Sequence, residues 1–335
     1  MKKVLTIAIP VYNGGQPLLE AIASCEHICL NNDEFEILIV DNCSTDGKTE
    51  EALKMHSSNL PIRIIYNEFN CGRINNWNKC IENALGEFIL FLFANDLVAA
   101  ENSIVDAISI LRKNDKCNLV SAPWIHSDFE QLNQYISPEF YRRTSAYGYQ
   151  DAFVNIKKVV ENGKLPFVCL QSCFIRVNSV LSYDIKFDEK IPLTTDGVFL
   201  SQLASINGIA GFINKPMMII RYNAPNRQHS NIKLHQHIEQ MMEAFMKISK
   251  INGNQTIDLS RAYSNFNGLE NMIAFVIKNP NLQGLRYTGV MISVWINTIK
   301  KHKMNTIFLF VRLIKRFLLL PIKGVIFIIK GLNKR

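Results

Sequence analysis

Four short apolar runs, each ended by polar turn residues, restrict the possible folds of this chain most strongly. They cover residues 5–11, 36–40, 62–66 and 88–93, and enough residues for a helix separate each run from the next. Strands that alternate with helices assemble into a parallel sheet with helices on both faces. We therefore predict an α/β fold with a doubly wound, mostly parallel sheet flanked by helices.

The net charge of +8 is concentrated at one end of the chain. No Asp or Glu follows Glu270, whereas twelve Lys or Arg do, which leaves residues 1–270 at −4. A folded body that bound nucleic acid would carry the positive charge itself. We therefore expect no nucleic-acid partner and predict a mildly acidic domain with a basic tail.

The eight cysteines are scattered and contain no C-x-x-C pair, which indicates reduced thiols in a cytosolic compartment. Cys25 with Cys29, and Cys169 with Cys173, have the spacing of one helical turn. A zinc site would need matching histidines, so core packing is the favoured role of these thiols. A dinucleotide-dependent oxidoreductase is disfavoured because no G-x-G-x-x-G follows the first strand.

In doubly wound sheets, ligands bind beyond the carboxyl ends of the strands. Asp41 lies at such a strand end, where its carboxylate could accept hydrogen bonds from a base or ribose. Asp46 follows in Ser44-Thr45-Asp46-Gly47, which is equally a good N-cap sequence for a helix.

Three blocks in order carry a family resemblance: residues 5–13, residues 40–47, and residues 67–78 followed by 84–92. Together they resemble the opening of family 2 glycosyltransferases, and the resemblance extends over roughly residues 4–230. It implies a GT-A fold and an inverting sugar transfer from a nucleotide-sugar donor, with a UDP-sugar favoured. It also implies nucleotide-sugar-binding roles for Pro10, Tyr12, Asn13, Asp41, Asp46, Asn70, Gly72, Arg73, Asn76 and Asn95.

The family's metal motif, Asp-x-Asp or Asp-x-Asp-Asp, is represented here by Phe93-Ala94-Asn95-Asp96. One carboxylate is left, but Mg²⁺ commonly takes one or two carboxylates together with substrate phosphates. The resemblance therefore implies Mg²⁺ or Mn²⁺ held by Asp96, with His229 as a second candidate ligand. An N-cap role for Asp96 and an ordinary loop role for His229 stay open.

An inverting transfer needs a general base for the acceptor hydroxyl. Thr194-Thr195-Asp196-Gly197 resembles the family's acidic block on the acceptor side, which is often Glu-Asp, and Asp196 is the candidate base. Because Thr195 stands at the Glu position, a single carboxylate remains. The alternative is that Asp196 caps a helix.

We predict three parts: a GT-A catalytic domain over residues 1–230, with its nucleotide half at about 1–100 and its acceptor half at 101–230, a helical extension over 231–303, and a tail over 304–335. Helical spacing places Arg312, Lys315, Arg316 and Lys323 towards one side of the tail, beside a broad apolar face. An amphipathic basic helix of this kind favours an anionic membrane surface, so we expect peripheral attachment at the inner face of the cell membrane. Packing on the catalytic domain or in a homo-oligomer is the alternative.

The expected acceptor is a saccharide or lipid-linked acceptor in bacterial surface polysaccharide or glycolipid assembly, as the family resemblance and the tail together imply. The competing hypothesis is a catalytically silent nucleotide-sugar-binding or scaffold protein. It is motivated by Phe93, Asn95 and Thr195, which replace acidic residues.

Overall fold

The structure, a computed structural model, describes residues 3–55, 59–99, 103–128, 134–136, 147–167, 169–222, 234–253, 255–259, 261–262 and 266. His229, the tail 304–335 and most of the predicted extension 231–303 lie outside these residues.

Residues 5–91 alternate strands and helices, as predicted. The elements are β1 (Leu5–Val11), α1 (Gly15–Ser24), β2 (Phe35–Asp41), α2 (Lys48–Met55), β3 (Ile62–Tyr66), α3 (Arg73–Glu82) and β4 (Phe88–Phe91). The predicted strands are confirmed, with ends that differ by at most two residues. β4 is shorter than the apolar run because residues 94 and 95 already turn.

The chain after β4 adds shorter strands and five more described helices. They are β5 (Leu97–Val98), α4 (Ser103–Lys113), β6 (Leu119–Ser121), β7 (Trp124–Asp128), β8 (Gln134–Ile136), β9 (Gly148–Asp151), α5 (Ala152–Glu161), β10 (Cys173–Arg176), α6 (Val177–Ser182), α7 (Thr195–Ser205), β11 (Ile209–Phe212), β12 (Met218–Tyr222) and α8 (Leu234–Ile251). The helix α7 begins at Thr195, one residue before Asp196.

The main sheet has the strand order β3-β2-β1-β4-β10-β6-β11-β9. β1 pairs in parallel with β2 and β4, β2 with β3, and β6 with β11, whereas β10 and β9 run antiparallel to their neighbours. A second sheet, β5-β12-β7-β8, was not predicted. The apolar run 209–220 divides into β11 and β12, which belong to different sheets, because Asn214-Lys215-Pro216 interrupts it.

Helices cover both faces of the main sheet, which explains the nearly continuous apolar strands. Alternate residues of the central strands enter two separate cores. Ile7 and Ile9 pack with α1 and α4, whereas Ala8 and Leu38 pack with α3, α5, α7 and α8. This two-sided burial makes β1 and β2 a rigid base for the loops that follow them.

A buried polar network fixes the amino ends of the strands. Glu36 is 3% exposed and accepts hydrogen bonds from Thr6 Oγ1 (2.7 Å), Arg63 Nε (2.9 Å) and Leu85 N (2.8 Å). Gly86 lies beside it, and a Cβ there would stand 2.5 Å from Thr6 N. Only glycine allows the chain entering β4 to approach β1 this closely.

Candidate functional site

The carboxyl ends of β1, β2 and β3 are joined by backbone hydrogen bonds into one edge. Asn42 N donates to Val11 O (2.8 Å), and Asn67 N donates to Asp41 O (2.8 Å). Pro10 is partly buried in β1, and Tyr12, immediately beyond the strand, is 39% exposed. The residues predicted at three separate strand ends therefore lie along the same edge of the sheet.

Asp41 is buried at this edge, and Ser44 holds its carboxylate. Ser44 Oγ donates to Asp41 Oδ1 (2.5 Å) and accepts from Asn13 N (2.8 Å), while Asn13 Oδ1 accepts from Thr45 N (2.9 Å). Asn13 has a φ of +54°, a left-handed conformation that asparagine tolerates better than most residues. These bonds link the loops after β1 and β2 and fix the orientation of Asp41.

Asp46 makes the contacts of a helix N-cap. Its two carboxylate oxygens accept from Thr49 N and Thr49 Oγ1, both at 3.0 Å, at the start of α2. The Thr49 hydroxyl in turn accepts from Gly14 N (2.8 Å) and so links the start of α1 to α2. The capping alternative describes these contacts, and through them Asp46 shapes the loops at the edge.

An asparagine network shapes the loop after β3. Asn42 donates through Nδ2 to Asn70 Oδ1 (2.8 Å), and its Oδ1 accepts from Asn67 Nδ2 (3.1 Å) and Cys71 N (3.0 Å). Asn70 Oδ1 also accepts from Gly72 N (2.9 Å). Sequence reasoning missed Asn42 and Asn67 as site residues. Their position directly after two strands was the signal that could have found them.

Asn76, predicted as a nucleotide contact, directs its amide towards the protein. It is 3% exposed, its Nδ2 donates to Val40 O (3.0 Å), and its Oδ1 accepts from Asn67 Nδ2 (2.9 Å). Through these contacts Asn76 holds the start of the loop after β3 against the end of β2.

Arg73 connects this loop to the segment that precedes the candidate base. Gly72, with a φ of +82°, directs the chain into α3, and Arg73 is the first residue of that helix. The Arg73 guanidinium lies 5.2 Å from the centroid of the Trp77 ring, and Nη2 donates to Pro192 O. A cation from the loop after β3 is thereby held against the segment that leads into α7.

Asp196 lies in the first turn of α7, where Thr194 and not Asp196 is the N-cap residue. The capping alternative therefore does not describe Asp196. Burial raises the pKa of the Asp196 carboxyl to about 6, although the backbone N–H of Gly197 and the charge of Arg73 oppose this rise. A carboxyl group with a pKa near neutrality can exchange a proton at physiological pH.

The residues after β4 form a tight corner. Phe93 stacks on Trp77 with ring centroids 5.2 Å apart, so the first position of the acidic motif is part of the aromatic packing. Asp96 is 4% exposed and accepts from Arg221 N (3.0 Å) at Oδ1 and from Gln171 Nε2 (2.9 Å) at Oδ2. β5 follows Asp96 directly, so the expected alternative of a helix N-cap is wrong.

Asn95 offers a buried acceptor at the same corner. Its Oδ1 is inaccessible to solvent and has no hydrogen-bond partner within the part of the chain that the structure describes. Buried polar atoms without a partner are rare, and a cation is one explanation for such an atom. No group of three or more His, Cys, Asp or Glu that could hold a metal occurs among the described residues. The corner therefore offers a hard cation two kinds of protein oxygen, the Asn95 amide and the Asp96 carboxylate.

The two acidic candidates lie on either side of one short segment. A 3-10 turn at Leu170–Ser172 separates Cys169 from Cys173, and both thiols are buried. Burial raises the pKa of both thiols. The negative charge of Asp96 adds to this rise at Cys169, and the negative charge of Asp196 adds to it at Cys173. The fold thus brings the strand-end corner, Arg73 and the candidate base to one region.

Comparison with known proteins agrees with this arrangement. Residues 6–180 match the profile of the family described as Glycosyl transferase family 2. TarS of Staphylococcus aureus strain Mu50, a poly(ribitol-phosphate) beta-N-acetylglucosaminyltransferase, is 28% identical over 107 residues, which are 32% of this chain and 18% of TarS. The abequosyltransferase RfbV of Salmonella typhimurium is 30% identical over 144 residues, which cover 38% of this chain and 43% of RfbV. The chain thus matches less than half the length of either relative.

Solved structures show the same fold. The structure of Staphylococcus aureus TarS 1–349 with UDP-GlcNAc superposes with a TM-score of 0.61 at 16% identity, covering 89% of this chain and 81% of that one. The mannosyltransferase PcManGT from Pyrobaculum calidifontis, with GDP-Man and Mn²⁺, gives a TM-score of 0.53 at 14% identity, covering 95% and 88%.

The fold is therefore that of the GT-A glycosyltransferases, with a large central sheet flanked by helices. Because the profile matches more than half of its residues, this chain belongs to glycosyl transferase family 2. The resemblance noted in the sequence is confirmed.

Proposed function

We propose that this glycosyltransferase moves a sugar, with inversion, from a nucleotide-sugar donor to a saccharide or lipid-linked acceptor in bacterial surface polysaccharide or glycolipid assembly. One observation carries the proposal: Arg73, at the end of the loop after β3, donates to Pro192 O in the segment before α7, and its positive charge acts on the raised-pKa carboxyl of Asp196. Structural neighbours that bind UDP-GlcNAc and GDP-Man support a nucleotide-sugar partner. A UDP-sugar remains the favoured donor.

In the proposed reaction, Asp41 receives the nucleobase at the edge of the sheet, and Tyr12, Asn13 and the loop to Gly72 surround the nucleotide. The acceptor hydroxyl attacks the anomeric carbon as its proton passes to the Asp196 carboxylate. The bond from the anomeric carbon to the diphosphate oxygen breaks on the opposite face, which inverts the anomeric configuration. Arg73 contributes positive charge on the donor side, where the leaving diphosphate accumulates negative charge.

Asn95 Oδ1 and the Asp96 carboxylate are the protein oxygens that would hold Mg²⁺ or Mn²⁺. The ion would supply positive charge for the departing diphosphate. Two structural neighbours contain Mn²⁺, which supports divalent metal use in this fold. His229 remains a predicted further ligand.

The acceptor class is inferred from the relatives, which include a poly(ribitol-phosphate) beta-N-acetylglucosaminyltransferase, a putative teichuronic acid biosynthesis glycosyltransferase of Bacillus subtilis and an abequosyltransferase. Among the described helices, none is long and apolar enough to cross a membrane. We place the reaction at the inner face of the cell membrane, with the basic tail as the contact.

The test is a panel of nucleotide sugars assayed for release of the nucleoside diphosphate, with Mg²⁺, with Mn²⁺ and with a chelator. We expect one nucleotide class to be released well above the blank, with a metal requirement. Asp96→Ala should then weaken both the metal response and donor binding. Release that is equal with metal and with chelator would remove the metal from the proposal.

A catalytically silent nucleotide-sugar-binding protein is the second candidate. The observation in its favour is the Phe93 side chain, which stacks on Trp77 where the family places a carboxylate. This candidate predicts donor binding by calorimetry without release of nucleotide. The panel therefore separates the two functions.

A further inference from the structure

Arg221 joins three elements around the corner after β4. Its backbone N–H donates to Asp96 Oδ1 (3.0 Å), its Nε donates to the backbone oxygen of Asn95, and its Nη1 forms an ion pair with Glu20 of α1. The Arg221 side chain is 4% exposed, whereas that of Glu20 is 43% exposed. One buried residue of β12 therefore contacts both residues of the degenerate acidic motif and the helix that follows β1.

These contacts involve the backbone of Asn95 and the carboxylate of Asp96. The guanidinium donates a hydrogen bond to the Asn95 backbone oxygen. Asn95 Oδ1 is buried and has no hydrogen-bond partner among the described residues. The Arg221 backbone N–H donates to Asp96 Oδ1, and Gln171 Nε2 donates to Asp96 Oδ2 (2.9 Å).

We infer that Arg221, oriented by Glu20, is a positioning residue whose guanidinium holds the Asn95 backbone, and with it the adjacent Asp96, for the donor diphosphate. The inference rests on the proposed function and adds a residue outside the motif to it. A planar guanidinium can bridge a carbonyl and a carboxylate at fixed angles, which a lysine ammonium cannot do. Residues that orient ligating groups in this way typically change affinity or activity by about 10 to 100-fold when they are replaced.

The chain contains a matched control. Arg176 donates to Leu111 O (2.6 Å) and Cys117 O (3.3 Å), pairs with Glu87 (3.4 Å) and has a side chain that is 13% exposed. Arg176→Lys therefore removes a similar set of bonds from a part of the sheet outside the corner. A general loss of packing should affect both arginine variants alike.

The experiment compares wild type, Arg221→Lys, Glu20→Gln and Arg176→Lys in the full chain. Calorimetry measures the Kd of UDP, GDP, CDP and dTDP with and without Mn²⁺, and hydrogen exchange with mass spectrometry measures the peptide that covers residues 93–98. For Arg221→Lys we expect faster exchange of that peptide and an affinity about 10 to 100-fold weaker in Mn²⁺ for the nucleotide that the wild type binds. Glu20→Gln should give a smaller change in the same direction, because glutamine keeps an acceptor for Nη1.

Arg176→Lys should leave both readouts of the corner unchanged. Unchanged exchange and affinity in Arg221→Lys, or equal losses in Arg221→Lys and Arg176→Lys, would overturn the inference. A wild-type chain that binds none of the four nucleotides would overturn the proposed function instead. The exchange of residues 93–98 would then still decide whether Arg221 positions the corner.

Discussion

Asp196 shows how one side chain acquires its chemistry from its surroundings. The sequence offered a carboxylate in an acidic block that had lost its Glu, but it could not show whether that carboxylate was buried. In the structure, burial raises its pKa to about 6, and Arg73 opposes the rise. Both effects depend on tertiary packing that places α3 and α7 in the same core on one face of the sheet, which local sequence does not determine.

We expect the proposed base, Asp196, to determine the acidic limb of the pH–rate profile, which is the range in which kcat/KM falls as the pH is lowered. Asp196 must be ionised to accept a proton, so kcat/KM should fall as the pH drops through about 6. Arg73→Gln removes a positive charge that lowers the pKa of Asp196. The limb should therefore move to higher pH, by up to about 1 unit. The measurement is kcat/KM against pH at constant ionic strength.

Arg112→Gln is the control for this shift. Arg112 is an arginine on α4 whose side chain is 51% exposed and pairs with Glu87. Its removal should leave the limb in place. A limb that stayed in place in Arg73→Gln, or moved equally in both variants, would show that another group controls it.

At the scale of elements, the sequence predicts β1 to β4 well because each strand is an apolar run that ends in turn residues, and β1, β2 and β4 are also buried on both faces. It does not predict β5, β7, β8 and β12 as a second sheet, since the register of short strands is set by tertiary contacts. The same limit applies to the site. Strand ends located Asp41 and Asp96, whereas Arg221 was identified only once β12 was seen beside the corner.

Gly86 tests the close approach of β4 to β1. In Gly86→Ala, the added Cβ would meet Thr6 N at 2.5 Å and Leu5 C at 2.6 Å, and these backbone atoms can move only with the strand. We expect a loss of about 3 kcal/mol in the free energy of unfolding. Chemical denaturation measures it.

Gly47→Ala is the comparison for this substitution. Gly47 has a φ of +65°, and a Cβ there would meet no atom within 4 Å, so only conformational strain of about 1 kcal/mol should appear. Equal losses for the two variants would mean that the contact with β1 is not what requires glycine at position 86.

At the scale of the whole molecule, the charge distribution predicts that membrane attachment is separable from donor chemistry. The residues that carry the excess charge lie outside the described part of the chain, so this stays a prediction from sequence. Changing Arg312, Lys315, Arg316 and Lys323 together to Gln should weaken binding to anionic vesicles, because each contributes on the order of 1 kcal/mol. Deletion of residues 304–335 should abolish vesicle binding and leave nucleotide affinity intact.

Liposome co-sedimentation at low and high salt checks this, with neutral vesicles as the control. Binding of the wild type should decrease as salt rises, since exposed charges are screened over about 10 Å at moderate ionic strength. Equal sedimentation of wild type, the four-Gln variant and the truncated chain would assign the tail to protein packing.

The most direct test of the central claim measures two properties of Asp196→Asn on the donor that the panel identifies. The amide keeps the size of the side chain and loses the proton-accepting carboxylate. We predict a fall in acceptor-dependent nucleotide release of at least about 100-fold, with a donor Kd within about twofold of the wild type. Nucleotide release near the wild-type rate would contradict the assignment of Asp196 as the base. So would a loss of donor binding that by itself accounts for the whole loss of transfer.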